Sequence, residues 1–120
     1  MLKINKVSWA KVKIDGKDYW QVLLIGEKIV SREVERVKEE YGTDHVVADW
    51  EQKLLLSGNP EAILIASGWS GILKVNEKFQ NQIVKSGIEL RVVLTPRVAK
   101  EYNQLIEEGK RVNALIHTTC

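Results

Sequence analysis

The chain is poor in the residues that mark special structural classes, and each shortage excludes something. It has a single cysteine, Cys120, so no intrachain disulfide can form and packing must supply the stability. There are two prolines, Pro60 and Pro96, and no stretch of low complexity that would read as a linker. No apolar run approaches the roughly 18 residues of a membrane-spanning helix. The opening "MLKINK" lacks the unbroken apolar segment of a secretory signal. Charge of one sign is also missing. Lysine and arginine number 18 against 16 aspartate and glutamate, a net +2, and the lysines are dispersed, so neither nucleic acid nor an anionic membrane is expected as a partner. These absences lead to the expectation of a cytoplasmic protein. What is present is an ordinary globular composition, 44% hydrophobic and 28% charged. At 120 residues the length predicts one domain, 1–120, able to bury a core without staples.

Along the chain, residues 2–14 alternate in part, with Leu2, Ile4, Val12 and Ile14 on one parity. Asp15-Gly16 is a hairpin-turn signal, because glycine tolerates the positive φ that tight hairpins need. Tyr19 to Ile25 reads as a second strand, apolar enough to be buried on both faces. Residues 27–48 are ambiguous. Ile29-Val30 suits a strand, and Val34, Val37 and Tyr41 have helical spacing, so 32–41 is either helix or extended chain. The charges from 32 to 40 read as a solvated face, with Arg36 and Glu40 placed to pair. Asp49 with Gln52 three residues on predicts a capped helix that stops at Gly58-Asn59-Pro60. Ala62–Ser67 then predicts a strand and Asn76–Ser86 a helix with Phe79, Ile83 and Val84 inward. Ile88–Leu94 predicts a strand, and Thr95-Pro96 a helix start with Thr95 as cap, running to Glu108. Val112–His117 predicts the last strand. Alternating strands and helices give a largely parallel sheet, and the N-terminal hairpin makes it mixed. The expected fold is therefore an α/β three-layer domain: a mixed central β-sheet, with an N-terminal β-hairpin followed by β-α-β-α-β.

"IDGKDYWQVLLI", "ILIASGWSGILKV" and "VVLTPRVAKEYNQLIEEGKRVNALIHTTC" resemble one small α/β family across almost the whole chain. That family includes the adipogenesis-associated protein of animals, a mitochondrial complex I assembly factor and many uncharacterised prokaryotic proteins. The Gly68/Gly71 loop, the Tyr102-Asn103 pair and the Glu108 to Val112 turn occur in the same order. "YGTDH" at 41–45 resembles the prokaryotic members. The family's more frequent "GTG" is Ala66-Ser67-Gly68 here. The resemblance implies a three-layer fold with a mixed sheet. Through the assembly factor it also implies work by protein–protein contact.

The stretch "GWSG", Gly68 to Gly71, invites three functional readings. As a hydrolase elbow it lacks the spacer of G-x-S-x-G, and the extended "ILKV" follows where a helix should begin, so Ser70 is not expected to be a nucleophile. As a phosphate loop it lacks both the helix N-terminus and the lysine. The expected role of the glycines is a turn where the chain needs positive φ or close approach. Position still matters, since ligands of open α/β sheets gather beyond the carboxyl ends of the strands. Gly68, Trp69, Ser70, Gly71 and Thr95 are therefore candidate ligand-binding residues. Asn103, on the inner side of its helix, is expected to satisfy backbone groups of the 67–71 loop or to meet a ligand itself. His117 and Cys120 have H-x-x-C spacing, half of a zinc site with no second pair, and His45 reads as a loop residue, so no metal or cofactor is expected. The leading expectation is a non-catalytic domain acting through a protein partner or self-association. The alternative is a small-molecule-binding protein or enzyme with its site beside residues 67–71.

Overall fold

Short aliphatic runs that can be buried on both faces set the architecture of the computed structural model, which describes residues 1–120. In chain order the elements are β1 (Ile4–Ser8), β2 (Lys11–Ile14), β3 (Lys17–Tyr19), β4 (Val22–Ile25), β5 (Lys28–Ser31), α1 (Val34–Tyr41), α2 (Asp49–Leu56), β6 (Ala62–Ala66), α3 (Glu77–Lys85), β7 (Glu89–Val93), α4 (Val98–Glu107) and β8 (Val112–Ile116). A 3-10 turn, Thr95–Arg97, precedes α4. The central sheet has the order β5-β4-β8-β6-β7. Strands β8, β6 and β7 are parallel, while β4 runs antiparallel to both β8 and β5, so the sheet is mixed.

The period of two along the central strands divides the core into two layers. Val22, Leu24, Ala62, Leu64, Ala66, Val112, Ala114 and Ile116 pack on one side with Val98, Tyr102 and Leu105 of α4 and with Ile4, Val12 and Ile14. Leu23, Ile63, Ile65 and Leu115 pack on the other with Leu55 of α2 and with Phe79 and Ile83 of α3. This is the expected three-layer α/β fold. Residues 34–41 are helical, and Gly42 ends α1 with a left-handed φ of 77° and an amide bonded to the Lys38 carbonyl.

Several local expectations are corrected. The N-terminal region holds two hairpins, because the chain reverses at Trp9-Ala10 as well as at Asp15-Gly16, and β1-β2-β3 form a separate antiparallel sheet. The apolar stretch from Tyr19 to Ile25 therefore splits between two sheets, at Trp20-Gln21. Val84 is 63% exposed, not inward, since it lies one residue beyond the Phe79–Ile83 stripe of α3. Asp49 does not cap α2. The cap position is Ala48, and the Glu51 carboxylate takes the Ala48 amide at 2.9 Å. Thr95 does not cap α4 either, because a tertiary contact claims its hydroxyl.

Candidate functional site

The carboxyl ends of β6, β7 and β8 meet at one edge of the sheet and bring Ser67, Thr95 and His117 together. The buried Thr95 hydroxyl donates to the His117 carbonyl at 2.6 Å and accepts the Gly68 amide at 2.9 Å. The Thr95 amide returns a bond to the Gly68 carbonyl at 3.0 Å. Gly68 has φ +107°, and a Cβ there would collide with the Cys120 backbone and crowd the His117 ring at 3.1 Å. Glycine is required here for close approach of two backbones.

Residues 118–120 occupy the loop's hydrogen-bonding groups. The Trp69 amide donates to the Thr119 carbonyl at 2.8 Å, and the Ser70 and Ile72 amides donate to the Cys120 main-chain oxygen at 3.1 and 3.2 Å. The Trp69 indole N–H donates to the Thr118 carbonyl at 3.0 Å. Donors that would hold a phosphate or an oxyanion thus already have acceptors. Ser70 is exposed, α3 begins only at Glu77, and the imidazoles take other partners, so the loop has no nucleophile elbow. Five cavities of the molecule are lined by residues other than 67–71 or Thr95.

The same Thr118 ties three tryptophans to this edge. Its carbonyl also accepts the Ala10 amide, beside Trp9, at 2.9 Å, and its hydroxyl donates to the Trp20 carbonyl at 2.6 Å. Trp9 and Trp20 are 58% and 50% exposed, and Ile72 and Leu94, next to the loop, are exposed as well. The fourth tryptophan, Trp50, lies elsewhere under the Arg36 guanidinium, 3.8 Å from the ring centre.

Behind the loop lies a polar network that the sequence does not reveal. Arg32 was expected on a solvated face, yet its side chain is fully buried. Its five N–H donors are all used. They form a bidentate pair with Glu51 at 2.7 and 3.1 Å and bonds to Gln21 Oε1 at 3.1 Å, the Asp44 carbonyl at 2.9 Å and the Val46 carbonyl. Nothing local marks Arg32 as different from Arg36. The only clues are its place just after an apolar strand and a glutamate at the third position of α2. Gln21 Oε1 also contacts His117 Nδ1 at 2.8 Å. Because Arg32 can only donate, Gln21 must present its oxygen to both groups, which assigns the His117 proton to Nδ1. Burial, reinforced by the Arg32 charge, pushes the His117 pKa down to about 4, so the ring is neutral at pH 7; Asp44 opposes this and His45 adds to it. Gln21 Nε2 is buried without a partner.

Asn103 is not part of this edge. It bonds both the amide and the carbonyl of Ile4, at 3.0 and 2.8 Å, and so ties α4 to β1. It satisfies backbone as expected, but that of a strand and not that of the 67–71 loop. At the opposite edge of the sheet lies a cavity of about 310 Å³ lined by Leu2, Ile25, Tyr102, Ile106 and Val112. The cations at its rim are engaged, Lys110 with Glu89 and Arg111 with Glu61, which leaves it without free convergent charge.

Residues 4–117 match the family model described as "Protein of unknown function (DUF498/DUF598)". The chain belongs to this family. Solved structures share its architecture over most or all of their length. The protein MT938 is 29% identical, with a TM-score of 0.81 and complete coverage of both chains. The conserved hypothetical protein PH1505 from Pyrococcus horikoshii OT3 is also 29% identical, covering 98% of this chain and 99% of that one, with a TM-score of 0.78. XCC1710 from Xanthomonas campestris, 17% identical over 98% and 85% of the two chains, shares the fold at a TM-score of 0.73. The family thus includes prokaryotic members, in line with the resemblance read in the sequence.

Proposed function

We propose that this member of the family acts through protein contacts, including self-association, at the tryptophan-bearing edge of the central sheet. The observation that carries this reading is the division of labour at that edge. Within the Gly68–Gly71 loop the Trp69 and Ser70 amides and the Trp69 indole bond residues 118–120, while Trp9, Trp20, Ile72 and Leu94 stay exposed around it. Large aromatic side chains left in water beside a rigid loop are the residue type that anchors protein interfaces. The net charge of +2 opposes self-association only weakly. Resemblance to an assembly factor points the same way. The small-molecule reading has less support at this loop, since the Trp69 and Ser70 amides already have acceptors within the chain.

Sedimentation velocity over a concentration series tests the proposal. A mass-action shift from monomer to dimer is expected. Replacing Trp9 and Trp20 together by Ala removes two anchors, each worth about 2 kcal/mol where fully engaged, and should weaken the dimer by well over tenfold. A wild-type chain that stays monomeric into the millimolar range would contradict the reading.

A further inference from the structure

We infer that Asp44, His45 and His117 form a binding site for a divalent transition-metal ion of the zinc type. The three side chains each offer one ligand atom, and these atoms lie within 4.8 Å of one another. His45 Nε2 and Asp44 Oδ1 are 3.5 Å apart, close to the separation of about 3.3 Å between neighbouring ligands of a tetrahedral zinc shell. The two imidazoles meet edge to face with centres 5.5 Å apart. Two histidines and one carboxylate are the borderline nitrogen and oxygen donors that such ions select, and a three-residue set leaves one position for water.

The surroundings of His117 are those of a metal ligand. Metal-bound histidines almost always donate their second ring N–H to a carbonyl or carboxylate, which fixes the tautomer. Here Nδ1–H points to Gln21 Oε1, which Arg32 holds in place from the other side. That leaves the Nε2 lone pair as the ring's available donor atom, with only a long contact of 3.4 Å to the Thr119 hydroxyl. The ring is buried, and with the proton on Nδ1 the other nitrogen is left unprotonated for a ligand bond. The bidentate partnership with Glu51 offsets the nearby Arg32 charge, and Asp44 gives the cluster its negative charge.

The loop that carries Asp44 and His45 is anchored before any ligand arrives. Arg32 bonds the carbonyls of Asp44 and Val46, the Thr43 hydroxyl accepts the His45 amide at 3.1 Å, and the His45 carbonyl accepts the Lys74 amide at 2.9 Å. A parallel bridge joins Val46 to Lys74. Closing the ligand set then needs only side-chain rotation on a fixed backbone.

Cobalt(II) titration of the tag-free, metal-stripped protein tests the site, because its visible d–d bands report coordination geometry. One equivalent should bind with a four-coordinate spectrum and raise the denaturation midpoint, as any ligand selective for the native state does. His45→Ala and Asp44→Asn remove partly exposed ligands and should each weaken binding at least tenfold, while the metal-free midpoint stays within a few degrees of wild type. No uptake at millimolar cobalt, uptake that survives either substitution, or a thiolate charge-transfer band placing Cys120 in the shell would overturn the assignment.

Discussion

At the scale of single residues, the polar groups inside the protein matter most. Glu51 is the one carboxylate paired directly with Arg32, and both side chains are sealed from water. Glu51→Gln keeps the shape but leaves the guanidinium uncompensated, and a denaturant melt should show a loss of about 3–5 kcal/mol. A loss below 1 kcal/mol would mean that water reaches Arg32. Asn103→Leu orphans the Ile4 amide and carbonyl and should cost about 1–3 kcal/mol in the same measurement. Trp69 fluorescence should not change, since the 67–71 loop does not depend on Asn103. His117 links stability to pH. In the unfolded chain its ring takes up a proton near its ordinary value of 6.5, and in the native state only near 4, chiefly because of burial and then the Arg32 charge. Between these values the unfolded state binds more protons, so this contribution is complete above pH 6.5 and is lost as the pH falls to about 4. It amounts to roughly 3 kcal/mol, at about 1.4 kcal/mol per pH unit. With chelator present, the His117 ring signal in NMR should stay fixed from pH 7 to 5. A titration midpoint near 6.5 would contradict the assignment.

At the scale of elements, the Gly68–Gly71 loop and residues 118–120 behave as one unit. Gly68→Ala puts a methyl group into the Cys120 backbone at a φ of +107°, and neither side can yield. It should destabilise by more than about 1 kcal/mol and shift Trp69 emission as the indole loses its Thr118 acceptor. Gly71→Ala presses on the end of the Leu94 side chain at 3.0 Å and meets the Ser67 hydroxyl at an ordinary 3.7 Å, so it should be the milder of the two. Thermal melts of the pair with emission spectra decide this, and equal effects would show that strain at φ, not the contact with Cys120, governs the loop. The elements themselves were largely legible in the sequence, because the aliphatic runs at 62–66 and 112–116 and the 79/83 stripe carry their own periodicity. The break at Trp20-Gln21 was not legible, since an apolar run says nothing about which sheet it joins. Thr95 misled for a related reason. Its local signal is that of a helix cap, but the hydroxyl bonds to Gly68 and His117, which only the fold brings near. Arg32 and His45 were hidden in the same way, their partners being distant in sequence.

At the scale of the whole molecule, the two edges of the central sheet are unlike. One holds an apolar cavity whose rim charges are paired. The other holds three tryptophans around Thr118, with the Arg32–Gln21–His117 network behind them. That second edge is where the chain is proposed to meet a second copy of itself, with Trp9 and Trp20 as anchors. The most direct measurement follows the four indole N–H signals of ¹⁵N-labelled protein by NMR across a concentration series. The Trp9 and Trp20 signals are expected to move together with the sedimentation isotherm, while Trp50, held between Arg36 and Tyr41 away from that edge, stays still as an internal control. Concentration-independent signals from Trp9 and Trp20, or movement of Trp50 in their place, would contradict the proposed contact face.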